Sequence, residues 1–335
     1  MSYLYLCENG AVIGVEGGYF KVTHRDGSIT KVPRETLETI ALFGNNNLTT
    51  PCVQECLKRG IPVSFFSRNG AYFGRLESTC HSNIFRQKQQ IYLCEDSQFC
   101  LEFARNVLMA KARNQVTILR RYKRTTGKDI SKSIDFIMRN VVKISSSKTM
   151  DICKGYEGVI AREYFKCLSE LVPEAFRFRG RNKQPPQDAF NSMLSLGYTM
   201  LMYEIYGEIE NAGLTPYAGF IHKDRERHPT LASDLMEEWR AVLVDSVVLS
   251  LVIGKEISAE LFWSDEDSGG IFLSYEAMKI FLRKYELKMR ESTKYLEDVE
   301  TGFTSYRKAI RYQLQKVVQM IMEHDVTRYK PIVIR

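Results

Sequence analysis

The residues best equipped for chemistry lie in Gly219–Arg240, GFIHKDRERHPTLASDLMEEWR. His222 falls on a charged loop, and a helix beginning near Leu231 carries Asp234, Glu237 and Glu238. Thr230 supplies the hydroxyl expected of an N-cap. At about 100° per residue the three acids share one side of that helix, with Leu235, Met236, Trp239 and Leu243 on the other. A further acid, Glu157, sits in the middle of an apolar stripe formed by Cys153, Ile160, Ala161, Tyr164, Leu168 and Leu171. A carboxylate on a buried face is costly unless a metal, an arginine or its own proton compensates it. Brought to a common point, Glu157, His222, Glu237 and Asp234 suit Mn²⁺ or Mg²⁺, with Zn²⁺ also admissible, and leave coordination positions for phosphate oxygens and water. Such a cation beside basic surfaces points to phosphodiester chemistry. A purely structural reading stays open: the acids complement a helix dipole, His222 lies on the surface, and Glu157 pairs with an arginine at a helix junction.

Two kinds of pattern must position these groups. Tyr3–Cys7, Ala11–Val15, Tyr19–Thr23, Ile29–Val32 and Leu37–Phe43 read as short strands separated by turn-forming residues such as Gly17-Gly18. A short helix opens at Thr49–Pro51 and closes at Gly60, and Val63–Ser67 with Ala71–Leu76 forms a second hairpin. Beyond Leu76 the period changes from two to helical. The expected fold is α+β: a β-sandwich-like domain over 1–80 that sets orientation or dimerisation, a linker over 81–95, and an all-helical catalytic domain over 96–335. Helices are expected over Ser97–Lys123, Lys148–Leu171, Ala189–Asn211, 231–253, Tyr275–Tyr295 and Ser305–Glu323, followed by a basic, flexible tail from Arg328. Gly155 and Gly158 beside Glu157 weaken their helix, which makes sense if a backbone or a substrate passes close by.

The chain of 335 residues has a formal charge of +7. Between Arg105 and Lys148 the only acids are Asp129 and Asp135, so Arg113, Arg120 and Arg121 belong to the densest basic region. A second basic stretch, PEAFRFRGRNKQPPQD, mixes Arg177, Arg179, Arg181 and Lys183 with Phe176 and Phe178, which suits phosphates and unstacked bases and equally a mobile surface loop. The eight cysteines show no paired zinc-finger spacing and fit reduced thiols in the cytoplasm. No secretory signal is visible, and the longest apolar run, Ala241–Ile253, is too short to span a bilayer.

Together with GFIHKDRERHPTLASDLMEEWR, the stretches GYEGVIAREYF at 155–165, RGRNKQPPQDAFNSMLSLGY at 179–198 and AGLTPYAGF at 212–220 resemble the CRISPR-associated integrase/endonuclease family Cas-one. FFSRNGAYFGRLES at 65–78, AKARNQVTILRRY at 110–122 and SYRKAIRYQLQKVV at 305–318 extend the likeness over nearly the whole chain. The resemblance implies a homodimer formed through the β-domains and assembly with the small Cas-two protein. It implies Glu157, His222 and Glu237 as ligands of Mg²⁺ or Mn²⁺, with Asp234 as the nearby catalytic aspartate. The implied reaction is integration: a 3′-hydroxyl of double-stranded DNA attacks a phosphodiester at the end of a CRISPR repeat, with cleavage of branched DNA as the reverse. Arg113, Arg120, Arg121, Arg179, Arg181, Lys183, Arg307 and Arg311 are the expected DNA contacts. A non-catalytic DNA-binding scaffold and a small-molecule metallohydrolase are the other two classes that these residues admit.

Overall fold

A computed structural model describes residues 2–79, 81–182, 184–293 and 304–334. Cys80 and Lys183 lie outside the described residues, as does the end of the helix expected over Tyr275–Tyr295. The first half of the β-domain holds β1 (Ser2–Leu6), β2 (Val12–Glu16), β3 (Tyr19–Thr23), β4 (Ile29–Pro33) and β5 (Leu37–Phe43). The second half holds β6 (Asn47–Leu48), α1 (Thr50–Arg59), β7 (Val63–Phe66) and β8 (Tyr72–Leu76). They form two four-stranded sheets, β1-β5-β7-β8 and β4-β3-β2-β6. Gly17 and Gly18, at φ 55° and 87°, make the tight turn between β2 and β3 that only positive φ allows. Strand alternation sends Ile13, Phe20 and Val22 from one sheet and Ile40, Leu42 and Val63 from the other into one core, closed by Cys52 and Cys56 of α1. Thr49 caps α1, accepting from the Cys52 N–H, and Gly60 ends it in the left-handed region.

The remainder, expected to be all helical, is mainly so, but it also holds two short antiparallel ladders, Phe262–Ser264 with Ile271–Leu273 and Ser292–Thr293 with Thr304–Ser305. Residues 81–95, expected to link the domains, contain α2 (Ile84–Cys94). It is followed by α3 (Ser97–Thr126), α4 (Ser131–Ser145), α5 (Met150–Leu171) and α6 (Ala189–Asn211). The helix expected over 231–253 is broken: α7 (Thr230–Met236) gives way to a turn, a π-helical segment (Arg240–Asp245) and then α8 (Ser246–Ile253). α9 (Tyr275–Arg290) and α10 (Tyr306–Glu323) complete the domain. A Cβ on Gly197 of α6 would come within 2.5 Å of Val244, so this glycine lets α6 and the π segment approach closely. Wide π turns recur at functional sites, and this one begins three residues after Glu237. Among the described residues no helix is long and apolar enough to cross a membrane.

Two features bear on the site. Arg307 is the joint between the domains: its guanidinium bonds Glu204 at 2.5 Å and Glu286 at 2.8 and 3.0 Å, and lies 3.5 Å from the centroid of the Tyr3 ring. The C-terminal tail, expected to be flexible, is packed. Tyr329, Ile332 and Ile334 are buried, and Asn114 of α3 donates to Ile332 O at 2.8 Å and accepts from Ile334 N at 2.9 Å. The apolar run Pro331–Ile334 inside this tail, with Ile332 and Ile334 turned inward and Val333 outward, is what its flanking charge obscured.

Candidate active site

Thr149 caps α5, and Cys153, Ile160, Tyr164, Leu168 and Leu171 face the core as their spacing predicts. Glu157 lies at the edge of that stripe, with its side chain 25% exposed. Its partner is not an arginine but Lys111 of α3, whose Nζ lies 2.5 Å from Glu157 Oε1 and 2.7 Å from Glu237 Oε2. Two carboxylates from distant segments therefore converge on one positive charge. Burial works against the charge on Lys111, but Glu157 and Glu237 outweigh it and its pKa is raised. Gly155 and Gly158 meet no described neighbour: a Cβ at either would touch nothing within 4 Å. By helix geometry Gly155 lies on the opposite side of α5 from Glu157 and Gly158 about a quarter-turn away, so neither open spot lies over the carboxylate pair.

The acids at 234–238, expected on one side of a helix, diverge. Asp234 is fully buried and accepts four hydrogen bonds: from Phe220 N at 2.6 Å, Ile221 N at 2.8 Å, His222 N at 3.0 Å and His222 Nδ1 at 2.6 Å. An ionised carboxylate only accepts, so the proton sits on Nδ1 and the lone pair of a neutral ring is left on Nε2. Thr230 is the first residue of α7 rather than its cap. Its hydroxyl instead accepts from Gly219 N at 3.0 Å and donates to Tyr217 O at 2.6 Å, fastening the same loop. A Cβ on Gly219 would lie 2.6 Å from the Asp234 carboxylate, so the loop can sit on Asp234 only because residue 219 has no side chain.

Glu237, in the turn after α7, has a side chain only 5% exposed. Burial opposes its charge, but Arg240, Lys111 and His222 together hold its pKa at about 2. Arg240 Nε is 3.2 Å from Glu237 Oε2. Lys111 Nζ at 2.7 Å and Arg240 Nε are thus two cations gathered on one buried carboxylate oxygen. Glu238 points elsewhere: it accepts from Tyr329 Oη at 2.6 Å and from Ile332 N, and burial pushes its pKa up to about 7. Residues 237 and 238 are about 100° apart on any helix, and the break after Met236 lets them serve different ends.

Among the described residues no three His, Cys, Asp or Glu side chains form a preformed cluster for a metal ion. The donor set nevertheless fits one. Glu237 Oε2 is a buried anionic oxygen that already gathers two cations, Glu157 shares one of them, and His222 Nε2 is the ring nitrogen not used by Asp234. Two carboxylates and an imidazole are hard and borderline donors of the kind that take Mg²⁺ or Mn²⁺.

Residues 4–287 match the family described as "CRISPR associated protein Cas1". The chain belongs to the Cas1 family. Among Cas1 relatives it is similar to a CRISPR-associated endonuclease Cas1 of Mycobacterium tuberculosis, 35% identical over 96% of this chain and 94% of that protein. In fold it is similar to a casposase bound to an integration product, with a TM-score of 0.84 at 21% identity, covering 98% of this chain and 94% of that one. It also resembles a chain of a Cas6-RT-Cas1–Cas2 complex, with a TM-score of 0.83 at 23% identity, covering 98% of this chain and 36% of that longer one.

The structure sorts the basic residues expected to contact DNA in this Cas1 chain. Arg113, Arg120 and Arg179 are exposed, and Arg121 is half-buried. Arg181 turns inward, bonding Asn191 Oδ1 at 2.9 Å and Ser195 Oγ at 3.0 Å and lying over the Tyr198 ring. Arg307 is consumed by the domain joint. Arg311 pairs with Glu208 at 3.1 Å and Glu38 at 3.5 Å. Phe176 and Phe178 are core residues, Phe178 stacking on Phe190 at 4.6 Å, so neither offers a face to a base. Sequence reasoning missed a groove in which Lys128, Arg162 and Lys166 join Arg177 and Arg179. It also missed Lys111, although the signal was present. Lys111 falls on the apolar stripe of α3 with Ala104, Val107, Leu108 and Ile118, a buried cation matching the buried acid of α5.

Behind Glu237, Arg240 lies 4.8 Å from the centroid of the Tyr198 ring. Tyr198 and Tyr164 donate to Asp245 at 2.5 and 2.7 Å. Burial pushes Asp245 up to about 6 although both tyrosines and two arginines favour its charge.

Proposed function

We propose that this chain is a divalent-metal-dependent DNA integrase and endonuclease that inserts short DNA into a CRISPR array by transesterification. The observation that carries the reading is the meeting of Glu157 and Glu237 at one cation, with the His222 imidazole, oriented by Asp234, within electrostatic reach of Glu237. Glu157, Glu237 and His222 Nε2 would hold Mg²⁺ or Mn²⁺. When bound, such an ion supplies Lewis-acid stabilisation of phosphate charge and lowers the pKa of a bound hydroxyl.

The chain's own residues do the rest. Asp234 fixes the tautomer and direction of His222 and thereby acts as a positioning residue. Arg240 keeps Glu237 ionised and in place. Exposed Arg113, Arg120 and Arg179 and the groove at Arg162 and Lys166 bind the phosphate backbone of double-stranded or branched DNA. The endonuclease name of the M. tuberculosis relative and the integration product held by a casposase of the same fold support the reaction class. The Cas1–Cas2 complex supports a small Cas2 partner, with the chain acting as a homodimer in the cytoplasm.

The test is strand transfer of a 3′-hydroxyl duplex into repeat DNA with Mn²⁺, with and without the small partner. His222→Ala and Glu237→Ala should abolish product while circular dichroism and DNA affinity stay near wild type. Normal product from either variant would falsify the assignment. One observation favours a non-catalytic DNA scaffold: Lys111 already neutralises the acid pair. That reading predicts no divalent-dependent activity at any ion concentration.

A further inference from the structure

Lys111 is the one member of the site with no part in the reaction proposed above. Its side chain, 11% exposed, reaches from α3 to place one ammonium against an oxygen of each carboxylate. Without a cation there, two acids brought together from α5 and from the turn after α7 would repel, one of them in a nearly dry environment. An ion that used both carboxylates would compete for the oxygens Lys111 now touches. With Arg240 3.2 Å from the same Glu237 oxygen, the positive charges would crowd. Lysine suits a contact that must be given up. Its charge is a point on a flexible stem, whereas a guanidinium would clamp a carboxylate through two parallel bonds. The Glu157 side chain, 25% exposed, can be reached from solvent.

We infer that Lys111 is a place-holder cation: its ammonium keeps Glu157 and Glu237 converged while no divalent ion is bound, and leaves them when an ion takes their oxygens. The inference rests on the metal-dependent reading of the site.

The test uses the full chain with Mn²⁺ as the probe and reads thermal midpoint and ion affinity rather than activity. In chelator, Lys111→Met should lower the midpoint by several degrees, and saturating Mn²⁺ should erase that deficit. Its Mn²⁺ affinity should rise about tenfold or more, because a competing charge is gone. Lys111→Arg should keep the metal-free stability and bind Mn²⁺ several-fold more weakly. Adding Glu157→Gln to Lys111→Met should restore metal-free stability, which separates carboxylate repulsion from misfolding. An equal deficit with and without Mn²⁺, or unchanged or weaker Mn²⁺ affinity in Lys111→Met, overturns the place-holder role. If that happens while wild type still binds Mn²⁺ through His222, the metal-dependent reading stands. Absence of any saturable Mn²⁺ binding in wild type overturns both.

Discussion

Replacing Asp234 by asparagine tests how the site is held together. The exchange preserves volume but puts an NH₂ where one carboxylate oxygen stood. Oδ2 serves Phe220 N and Ile221 N, and Oδ1 serves His222 N and Nδ1. An NH₂ in the Oδ2 position would strand two buried backbone donors, at about 1–3 kcal/mol each. In the Oδ1 position it faces His222, whose side chain is 38% exposed and can turn to water, so this orientation costs less. The stability loss should therefore be about 2–4 kcal/mol, well short of global unfolding. The chemical cost is larger. An amide donating to Nδ1 shifts the ring proton to Nε2, removing the lone pair meant for a metal. Losing such an outer partner typically costs about 10- to 100-fold in metal affinity or activity. Urea unfolding measures the first effect. Mn²⁺ titration and the ¹⁵N shifts of His222 measure the second, and a merely structural role would not move the shifts. Wild-type Mn²⁺ affinity in Asp234→Asn, with the proton still on Nδ1, would refute the reasoning.

Four further predictions rest on particular residues. Asp245 is pushed up to about 6 from an ordinary 3.8, so its folded form binds a proton more tightly than its unfolded form. Stability should thus fall by about 2–3 kcal/mol as pH rises from about 4 to 6, and Asp245→Asn should flatten that slope in urea unfolding. Removing residues 329–335 strips Tyr329, Ile332 and Ile334 from the core, takes from Glu238 its Tyr329 and Ile332 donors, and takes from Asn114 its bonds to Ile332 and Ile334. A loss of at least about 4 kcal/mol is expected, whereas a flexible tail would cost nothing in the same thermal or denaturant measurement. Arg307→Ala should destabilise by about 3–5 kcal/mol by taking the guanidinium from Glu204, whose side chain is 10% exposed, while Glu286 keeps Arg290. Arg120→Ala should change stability by no more than about 0.5 kcal/mol yet lower the slope of log DNA affinity against log salt by about one.

The sequence by itself determined which residues face inward. Period-two alternation and glycine turns marked β1 to β5, β7 and β8, though not the two-residue β6, and Thr49 with Pro51 marked the start of α1. Helical spacing exposed Glu157 as an acid on a greasy stripe. The resemblance to a known family then joined it to His222 and Glu237. Tertiary structure decided the partners. Lys111 and Glu157 are 46 residues apart, and periodicity reports a buried face without saying what lies across from it. The same blindness made Arg120 and Arg307 look alike, although one meets water and the other closes a domain joint over Tyr3. The break at Met236, which sends Asp234, Glu237 and Glu238 to three different tasks, has no glycine or proline to announce it. A helix breaks there because loop, tail and α3 each claim one acid, and those claims exist only once the chain has folded.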